Sequence, residues 1–200
     1  MGYVVCSDEA NEQLFRFNVP IPYSGSSIIG SANDMLLMWD IWRDILFTFN
    51  PITRNYIKLD PLPTPIRDGF AFGFGVSKLS GQYKILYVNR NRSYFVHNLL
   101  GQGKGGWRNI SPPPEWIYEV RDDKAVFLNG NLHWLAYDIV WNPVLCCFDL
   151  ETELFTSFSL PIEIDDYFQK ICVLGDHLCV CDHRSRDRAV IWLMKDYGAI

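Results

Sequence analysis

The residues with the most chemical potential are two histidines and two cysteines close together near the C-terminus, His177, Cys179, Cys181 and His183. Because alternate residues of a strand share one face, all four side chains are expected to point the same way, as the ligands of a zinc ion would. A Cys-x-Cys pair on a strand, however, spreads its thiols along the pleat and lacks the Cys-x2-4-Cys spacing of zinc sites. We therefore predict no metal site and interpret these thiols as structural.

Catalytic groups would have to come from elsewhere. Adjacent carboxylates occur at Asp122-Asp123 and Asp165-Asp166, but general acid-base catalysis needs carboxylates held apart in a cleft, and adjacent acids in a loop are usually solvated. The Gly-rich run 101–106 would need a helix behind it to hold a phosphate, whereas Trp107 opens a predicted strand. Since no serine nucleophile elbow is present either, the sequence predicts no catalytic site and no cofactor, and the protein is not expected to be an enzyme.

Two tryptophans are candidates for contact with a protein partner. Trp42 and Trp141 fall in the same loop of a sequence repeat, so both are predicted to lie on one side of the fold. An exposed tryptophan offers a large, rigid contact area and is favoured at binding hot spots. The alternative is that each ring folds back onto its own sheet. Four further tryptophans lie within predicted strands and are expected in the core: Trp39, Trp107, Trp134 and Trp192.

Composition excludes several classes of partner. The chain has 23 acidic and 18 basic residues, a net charge of −5, so it lacks the basic field that nucleic-acid binding needs. No apolar run approaches the roughly 20 residues of a membrane span, and the N-terminus does not have the form of a signal peptide. We expect no nucleic-acid or membrane partner, a cytoplasmic or nuclear location, and six cysteines present as free thiols.

A repeat organises the chain. Four times, an apolar strand, a tight turn and a second apolar strand follow one another, with turns at Asn33-Asp34, Ser80-Gly81, Asn129-Gly130 and Gly175-Asp176. These dipeptides tolerate positive φ and close hairpins. The intervals of 47, 49 and 46 residues match a four-stranded propeller blade of about 40–50 residues. No stretch has a sustained helical period.

Each unit continues with a polar loop, a third strand, another turn and a fourth strand that ends in proline. The predicted fourth strands are 56–63, 107–112 and 154–161, and a loop is predicted at 182–188. The sequence thus predicts one all-β domain over 1–200, a partial, open β-propeller of about four antiparallel four-stranded blades. Its last unit is incomplete at the C-terminus, so we expect a fragment, a shortened protein, or a chain that needs a partner.

Several motifs appear in a fixed order. They are Asn50-Pro51-Ile52-Thr53-Arg54 with Leu62-Pro63, Phe72-Gly73-Phe74-Gly75, Asn129-Gly130-Asn131-Leu132-His133-Trp134, and Ile191-Trp192-Leu193-Met194-Lys195-Asp196-Tyr197-Gly198. Their order and spacing, from about Ile28 to Gly198, resemble those of plant F-box proteins with an F-box-associated, kelch-like domain. The sequence departs from that pattern at Gly75 and Gln82, where the family often has Asp, and at 32–34.

The resemblance implies a protein-binding module that recognises substrates for an SCF-type ubiquitin ligase. The helical F-box that docks the adaptor of a cullin-type ligase is absent from this sequence, so a ligase partner is expected only if an F-box is supplied. The expected partner is a protein substrate that the sequence does not identify. The alternatives are a propeller enzyme of glycosidase or oxidase type, and a truncated, non-functional product.

Overall fold

The computed structural model describes residues 2–5, 15–18, 26–64, 69–99, 105–115, 117–120, 124–160, 169–185 and 188–194. Within these ranges every regular element is a β-strand, and they contain no helix long and apolar enough to cross a membrane. The strands form four antiparallel sheets in chain order and a hairpin of β1 (Gly2–Val5) with β2 (Phe15–Asn18). The predicted all-β class is confirmed.

The first two sheets have the predicted order of four consecutive strands. The first sheet comprises β3 (Ser26–Ala32), β4 (Met35–Asp40), β5 (Ile45–Phe49) and β6 (Tyr56–Lys58). The second comprises β7 (Gly69–Val76), β8 (Tyr83–Asn89), β9 (Tyr94–Leu99) and β10 (Trp107–Ile110). The fourth strands are shorter than predicted, because proline cannot donate to a ladder and the chain leaves each sheet before Pro61 and Pro112.

The third sheet differs from the prediction in its first strand. It comprises β11 (Ile117–Val120), β12 (Val126–Leu128), β13 (Asn131–Asp138), β14 (Pro143–Asp149) and β15 (Phe155–Ser159). Both β11 and β12 pair with β13 along the same edge. The strand predicted at 125–128 corresponds to β12, and β11 is an additional segment that the sequence did not predict. Between them Lys124 forms a parallel bridge with Phe72 of the second sheet, and the Ala125 N–H donates to the Phe72 carbonyl at 2.7 Å. Lys124 and Ala125 thus connect the third sheet to the second.

The fourth sheet comprises β16 (Gln169–Leu174), β17 (His177–Ser185) and β18 (Arg188–Leu193). The predicted loop at 182–188 was wrong over most of its length, since β17 continues to Ser185 and β18 begins at Arg188. Asp182 pairs with Val190 and Ser185 pairs with Arg188, with a shift in register between the two pairs. Polarity alone misled the prediction, because backbone pairing does not require apolar side chains at the end of a hairpin.

The hairpin turns adopt the backbone that their residue types predict. Positive φ values occur at Asn33 (48°), Gly81 (66°), Asn129 (50°) and Gly175 (58°). Side chains rarely tolerate this region, and asparagine and glycine are the residues that enter it at least cost. The four turns that define the repeat are therefore confirmed.

The Asn-Pro-x-Thr-Arg motif is a turn between the third and fourth strands. Asn50 Oδ1 accepts the backbone N–H groups of Ile52 and Thr53, each at 2.9 Å, and Arg54 has a φ of 61°. The matching run in the third sheet is built alike: Asp149 Oδ1 accepts the N–H groups of Glu151 and Thr152 at 2.7 and 2.8 Å, and Glu153 has a φ of 59°. Asn and Asp favour such turns because the side-chain oxygen replaces a backbone acceptor. This family motif therefore specifies local structure.

Apolar side chains fill the spaces between consecutive sheets. Leu37 and Leu46 of the first sheet pack with Phe74 and Tyr87 of the second. The same holds for the second and third sheets, with Leu86, Val96, Leu132, Trp134 and Phe148, and for the third and fourth, with Leu135, Leu145, Ile171 and Val180. The inner strands β3, β12 and β16 surround a central cavity of about 400 Å³. Face-to-face packing of successive antiparallel sheets is the arrangement of a β-propeller.

Gly75, one of the departures from the family pattern, has a packing explanation. A Cβ at this position would lie 2.5 Å from Phe127 Cδ2 and 2.6 Å from Leu150 Cδ1. The third sheet therefore fills the space that a side chain at Gly75 would occupy. An aspartate would have to displace both apolar groups and bury its charge among them.

Candidate protein-binding surface

The loop that carries Trp42 joins β4 to β5 and is held by one buried carboxylate. Asp40 Oδ1 accepts the backbone N–H groups of Trp42 and Arg43 at 2.9 and 3.2 Å, and Asp40 Oδ2 accepts Arg43 Nη1 at 3.1 Å. Asp44 closes the loop with a φ of 55° and accepts the indole N–H of Trp39 at 3.2 Å. Trp42 itself is 82% exposed. At this exposure the ring does not fold back onto its own sheet, which was the alternative that the sequence left open.

The loop that carries Trp141 joins β13 to β14 and repeats this design. Asp138 Oδ1 accepts the N–H groups of Val140 and Asn142 at 2.9 and 2.7 Å. Although burial acts in the opposite direction, hydrogen bonds from Asn142 and Val140 hold the pKa of Asp138 below its ordinary value. Trp141 has a φ of 66°, is 60% exposed, and lies 5.9 Å from the Tyr137 ring. A backbone strained in this way is fixed by the hydrogen bonds around it.

The second sheet has the corresponding loop without a tryptophan. Asn89 Oδ1 accepts the Ser93 N–H at 2.8 Å, Arg92 has a φ of 57°, and Arg90 is exposed. Asn89 lies 49 residues after Asp40 and 49 before Asp138, so the three anchoring residues occupy equivalent places in their repeats. We call residues 41–44, 90–93 and 139–142 the Trp-loop surface. This surface presents apolar side chains from the loops of the first and third sheets, and it presents Arg90 and Arg92 from the loop of the second sheet.

Sequence reasoning missed the aliphatic neighbours of the two tryptophans. Ile41, Ile139 and Val140 are exposed beside them. The signal was available, because these apolar residues fall in segments that the repeat assigns to loops. Together with the rings they form exposed apolar areas of the kind that protein partners cover.

The opposite ends of the sheets are tied together by side chains. We call residues 33–34, 50–55, 77–82, 129–130 and 149–154 the turn surface. Asp34 accepts Asn50 Nδ2 and the Tyr83 hydroxyl, each at 2.8 Å, and the Tyr83 bond is the main cause that lowers the pKa of Asp34. Glu151 accepts the Ser77 hydroxyl and the Ser80 N–H, and these bonds lower the pKa of Glu151. The bond from Tyr83 to Asp34 joins the second sheet to the first, and the bonds from Ser77 and Ser80 to Glu151 join the second sheet to the third.

An ion pair adds to the link between the second and third sheets. Glu153 accepts the buried Lys84 ammonium at 2.8 Å and also binds the Arg108 guanidinium. Burial would raise the pKa of Glu153, but the hydrogen bonds from Arg108 and Lys84 outweigh it and the pKa is lowered. The turn surface is thus a network that holds the sheets in place.

The other tryptophans that were predicted to be core residues divide into two groups. Trp134 is buried between the second and third sheets, as predicted. Trp39, Trp107 and Trp192 are half-buried at the edges of the clusters. The Trp107 indole N–H donates to the Asp60 carbonyl at 3.1 Å. This bond links the segment that follows β6 of the first sheet to β10 of the second. The prediction of core positions holds fully only for Trp134.

The remaining candidates for catalysis lie largely outside the described residues. This is true of Asp122-Asp123, Asp165-Asp166 and residues 101–104 of the Gly-rich run. Trp107 does open a strand, as predicted.

A buried histidine that the sequence did not single out, His97, has its Nε2 3.4 Å from Asp60 Oδ2. Burial is the main cause that lowers the pKa of His97, and Asp60 opposes it. The ring packs against Trp107 at 5.0 Å between centroids, so it serves the contact between the first two sheets.

The cysteine and histidine cluster has a different membership from the predicted one. Cys179 and Cys181 lie on one face of β17, as expected, and Cys172 of β16 joins them from the neighbouring strand. The His183 side chain lies outside the described part. No group of three or more candidate ligands within the described residues has a geometry that could hold a metal ion. The third cysteine was missed because the register between β16 and β17 cannot be derived from spacing within one strand.

Comparison with known proteins finds one family and relatives that carry the same family name. The sequence model of the F-box associated beta propeller domain matches residues 12–199. In Arabidopsis thaliana, F-box protein At3g07870 is 25% identical over 86% of this chain and 48% of its own length. Putative F-box protein At1g33530 is 26% identical over 82% of the chain and 38% of its own length. F-box/LRR-repeat/kelch-repeat protein At1g09650 is 29% identical over 81% and 46%.

The chain therefore spans about half or less of the length of these relatives. Among solved structures, one titled "Structure of YjhT" has a TM-score of 0.47 at 9% identity, covering 86% of this chain and 63% of that chain.

Proposed function

Because the chain belongs to the family of F-box associated beta propeller domains, we propose that it is a protein-binding module that selects substrates for an SCF-type ubiquitin ligase. The relatives are F-box proteins, and a propeller next to an F-box is suited to hold the protein that the ligase modifies. Function on such a scaffold resides in loops that a rigid sheet positions. The Trp-loop surface is the best candidate for that role.

The observation that carries this proposal is the exposure of two tryptophans on equivalent loops. Trp42 and Trp141 are 82% and 60% exposed, and buried or half-buried Asp40 and Asp138 fix the backbone beneath them. A rigid aromatic side chain loses little conformational entropy when a partner covers it, so it contributes more affinity than a flexible one. Arg90 and Arg92 lie in the loop of the intervening sheet and would pair with acidic groups of the partner.

Engagement of a cullin-type ubiquitin ligase is a separate part of the proposal. As the resemblance implies, it requires an F-box joined to this domain. The propeller selects the protein substrate, and the F-box delivers it to the ligase. The two activities are therefore separable in an experiment.

The test compares two tagged proteins in plant extract: the 200-residue chain and the same chain with an F-box fused before Met1. Captured proteins are identified by mass spectrometry. We expect both forms to capture the same substrate and only the fused form to capture cullin-ligase subunits. Capture of those subunits by the chain alone would overturn the ligase assignment, and failure of both forms to enrich any protein would overturn the binding role.

No specific observation favours the other candidate functions, a propeller enzyme of glycosidase or oxidase type or a non-functional product. The cytoplasmic or nuclear location also stays a prediction of the sequence. Imaging of a fluorescent fusion checks it, and secretion of the fusion would contradict it.

A further inference from the structure

Three cysteines meet on the face of the fourth sheet that points away from the third sheet. Ile171, Val180 and Trp192 face the third sheet, so the alternate residues Cys172, Cys179 and Cys181 face the other way. Cys172 lies directly opposite Cys179 across the β16–β17 pair, and Cys181 is diagonal to it. Cys172 Sγ is 3.4 Å from Cys181 Sγ. Two sulfurs at this distance are in non-bonded contact, and a bond between them requires a local approach of the two strands.

Access distinguishes Cys172 and Cys181 from the other cysteines in the described part. Both are half-buried, whereas Cys146, Cys147 and Cys179 are buried. Cys172 also borders the central cavity of about 400 Å³, together with Ile28 and Lys124. A small polar oxidant can therefore reach these sulfurs.

From this geometry we propose that Cys172 and Cys181 form a reversible redox site, in which hydrogen peroxide converts the two thiols into a disulfide between β16 and β17. The proposal is independent of the proposed function. It assigns a modification site to the inner wall of the propeller, where β16 borders the central cavity.

The chemistry proceeds in two steps. The Cys181 sulfur attacks one peroxide oxygen, the O–O bond breaks, and a sulfenic acid forms while the other oxygen leaves as water with the thiol proton. The Cys172 sulfur then attacks the sulfenic sulfur, the S–O bond breaks, and the hydroxyl leaves as a second water with the Cys172 proton. Two thiols lose two electrons in total, and one peroxide is reduced to two waters.

The order of attack follows from the surroundings of Cys172. Burial, followed by the contact with Cys181, raises the pKa of the Cys172 thiol. A higher pKa leaves less Cys172 thiolate to attack peroxide, which favours Cys172 as the resolving thiol. The disulfide that forms is the same in either order.

The diagonal placement makes the bond easy to reduce. Diagonal neighbours on adjacent strands have Cα atoms about 7–8 Å apart, beyond the usual disulfide range of roughly 4.4–6.8 Å. Closing the bond draws the two strands together locally and stores strain. Strained disulfides have higher reduction potentials and are the labile ones. Cellular thiols would therefore reopen it.

The test exposes the folded protein to hydrogen peroxide, blocks the remaining thiols with N-ethylmaleimide, and maps the products by mass spectrometry. Cleavage before Asp176 separates Cys172 from the other two cysteines, so a link between the strands keeps two peptides together until dithiothreitol is added. We expect this link in the wild type and in Cys179→Ala. We expect its loss in Cys172→Ser and in Cys181→Ser.

Two results would overturn the proposal: no link in the wild type, or a link that survives Cys181→Ser and disappears with Cys179→Ala. Circular dichroism under reducing conditions first establishes that each variant is folded. If Cys179→Ala does not fold, fragmentation of the wild-type linked peptides shows directly whether Cys179 or Cys181 holds the bond. A bond at Cys179 is then the overturning result.

Discussion

At the level of single residues, Asp and Asn side chains position the loops by accepting their backbone N–H groups. Asp40, Asn89 and Asp138 are the last residues of β4, β8 and β13. Each accepts N–H groups of the loop that comes next. The oxygen replaces backbone acceptors that a tight loop cannot supply. The side chains presented by these loops differ, while the anchoring residue recurs. The scaffold and the recognition surface can thus vary independently.

His133 belongs to one of the family motifs, and its role here is structural. Its Nδ1–H donates to the Val126 carbonyl at 3.2 Å across the β12–β13 pair, and the ring is fully buried. Burial lowers the pKa of His133 to about 4. The histidine therefore stays neutral in the folded protein at a pH where the unfolded chain takes up a proton.

This difference predicts a loss of stability in weak acid. As the pH falls from about 6.5 towards 4, only the unfolded state binds the extra proton at this site, which costs up to about 3 kcal/mol of unfolding free energy. Denaturant unfolding at pH about 7 and about 5 should show a smaller loss in His133→Asn than in the wild type. The carboxylates with lowered pKa values titrate mostly below this window. An equal loss in the two proteins would contradict the assignment.

At the scale of elements, ion pairs on the turn surface join the second sheet to the third. Glu153 is the shared partner of Lys84 and Arg108. Its replacement by glutamine removes the carboxylate that binds the buried Lys84 ammonium directly and leaves Glu151 as the acidic group near it. We expect Glu153→Gln to lower the unfolding free energy by about 2–4 kcal/mol, measured by denaturant titration.

The matched control for this prediction is the double variant Glu153→Gln with Lys84→Met. Methionine removes the buried charge and keeps the apolar stem, so most of the stability should return. If the double variant is as unstable as Glu153→Gln alone, Lys84 is not the source of the cost.

β3 packs closely against β7 because Gly30 of β3 has no side chain. A Cβ at Gly30 would lie 2.7 Å from Phe74 Cβ, an atom close to the backbone that cannot move aside. We expect Gly30→Ala to lower the unfolding free energy by about 1–3 kcal/mol. Ser31→Ala, at an exposed position on the same strand, should change it little. Equal unfolding free energies of Gly30→Ala and Ser31→Ala would contradict the claim that the close packing of β3 on β7 requires glycine at position 30.

Turns within one repeat could be predicted from the sequence, whereas contacts between different strands and sheets could not. The repeat and its four turns could be predicted because Asn33, Gly81, Asn129 and Gly175 mark positive φ. The bridge from Lys124 to Phe72 could not, because it joins segments of different sheets. For the same reason the meeting of Cys172 with Cys181 was missed, whereas the exposed positions of Trp42 and Trp141 follow from local loop patterns.

At the scale of the whole molecule, the two ends of the sheets differ in construction. The turn surface is tied together between sheets by Asp34, Glu151 and Glu153. The anchoring oxygens of the Trp-loop surface bind the backbone of their own loops. One end therefore stabilises the arrangement of sheets, and the other presents side chains to solvent. Division of this kind allows one scaffold to carry many recognition surfaces.

The turn surface nevertheless has exposed apolar residues of its own, which supply a matched comparison. Ile52 and Leu79 are 80% and 83% exposed. They match Trp42 (82%) in exposure, exceed Trp141 (60%), and lie at the opposite end of the sheets. Aliphatic side chains are less common at hot spots than tryptophan, so their loss should matter less to a partner.

Protein capture by two double variants, measured beside the wild type, tests whether the Trp-loop surface binds the partner. In one, Trp42→Ser is combined with Trp141→Ser, and in the other Ile52→Ser is combined with Leu79→Ser. Capture of the same plant proteins, quantified by mass spectrometry, should fall by at least about tenfold with the tryptophan variant, a loss of about 1.4 kcal/mol or more in binding, and remain near the wild-type level with the other. Undiminished capture by the tryptophan variant, or a loss confined to the Ile52 and Leu79 variant, would contradict the assignment of the binding surface.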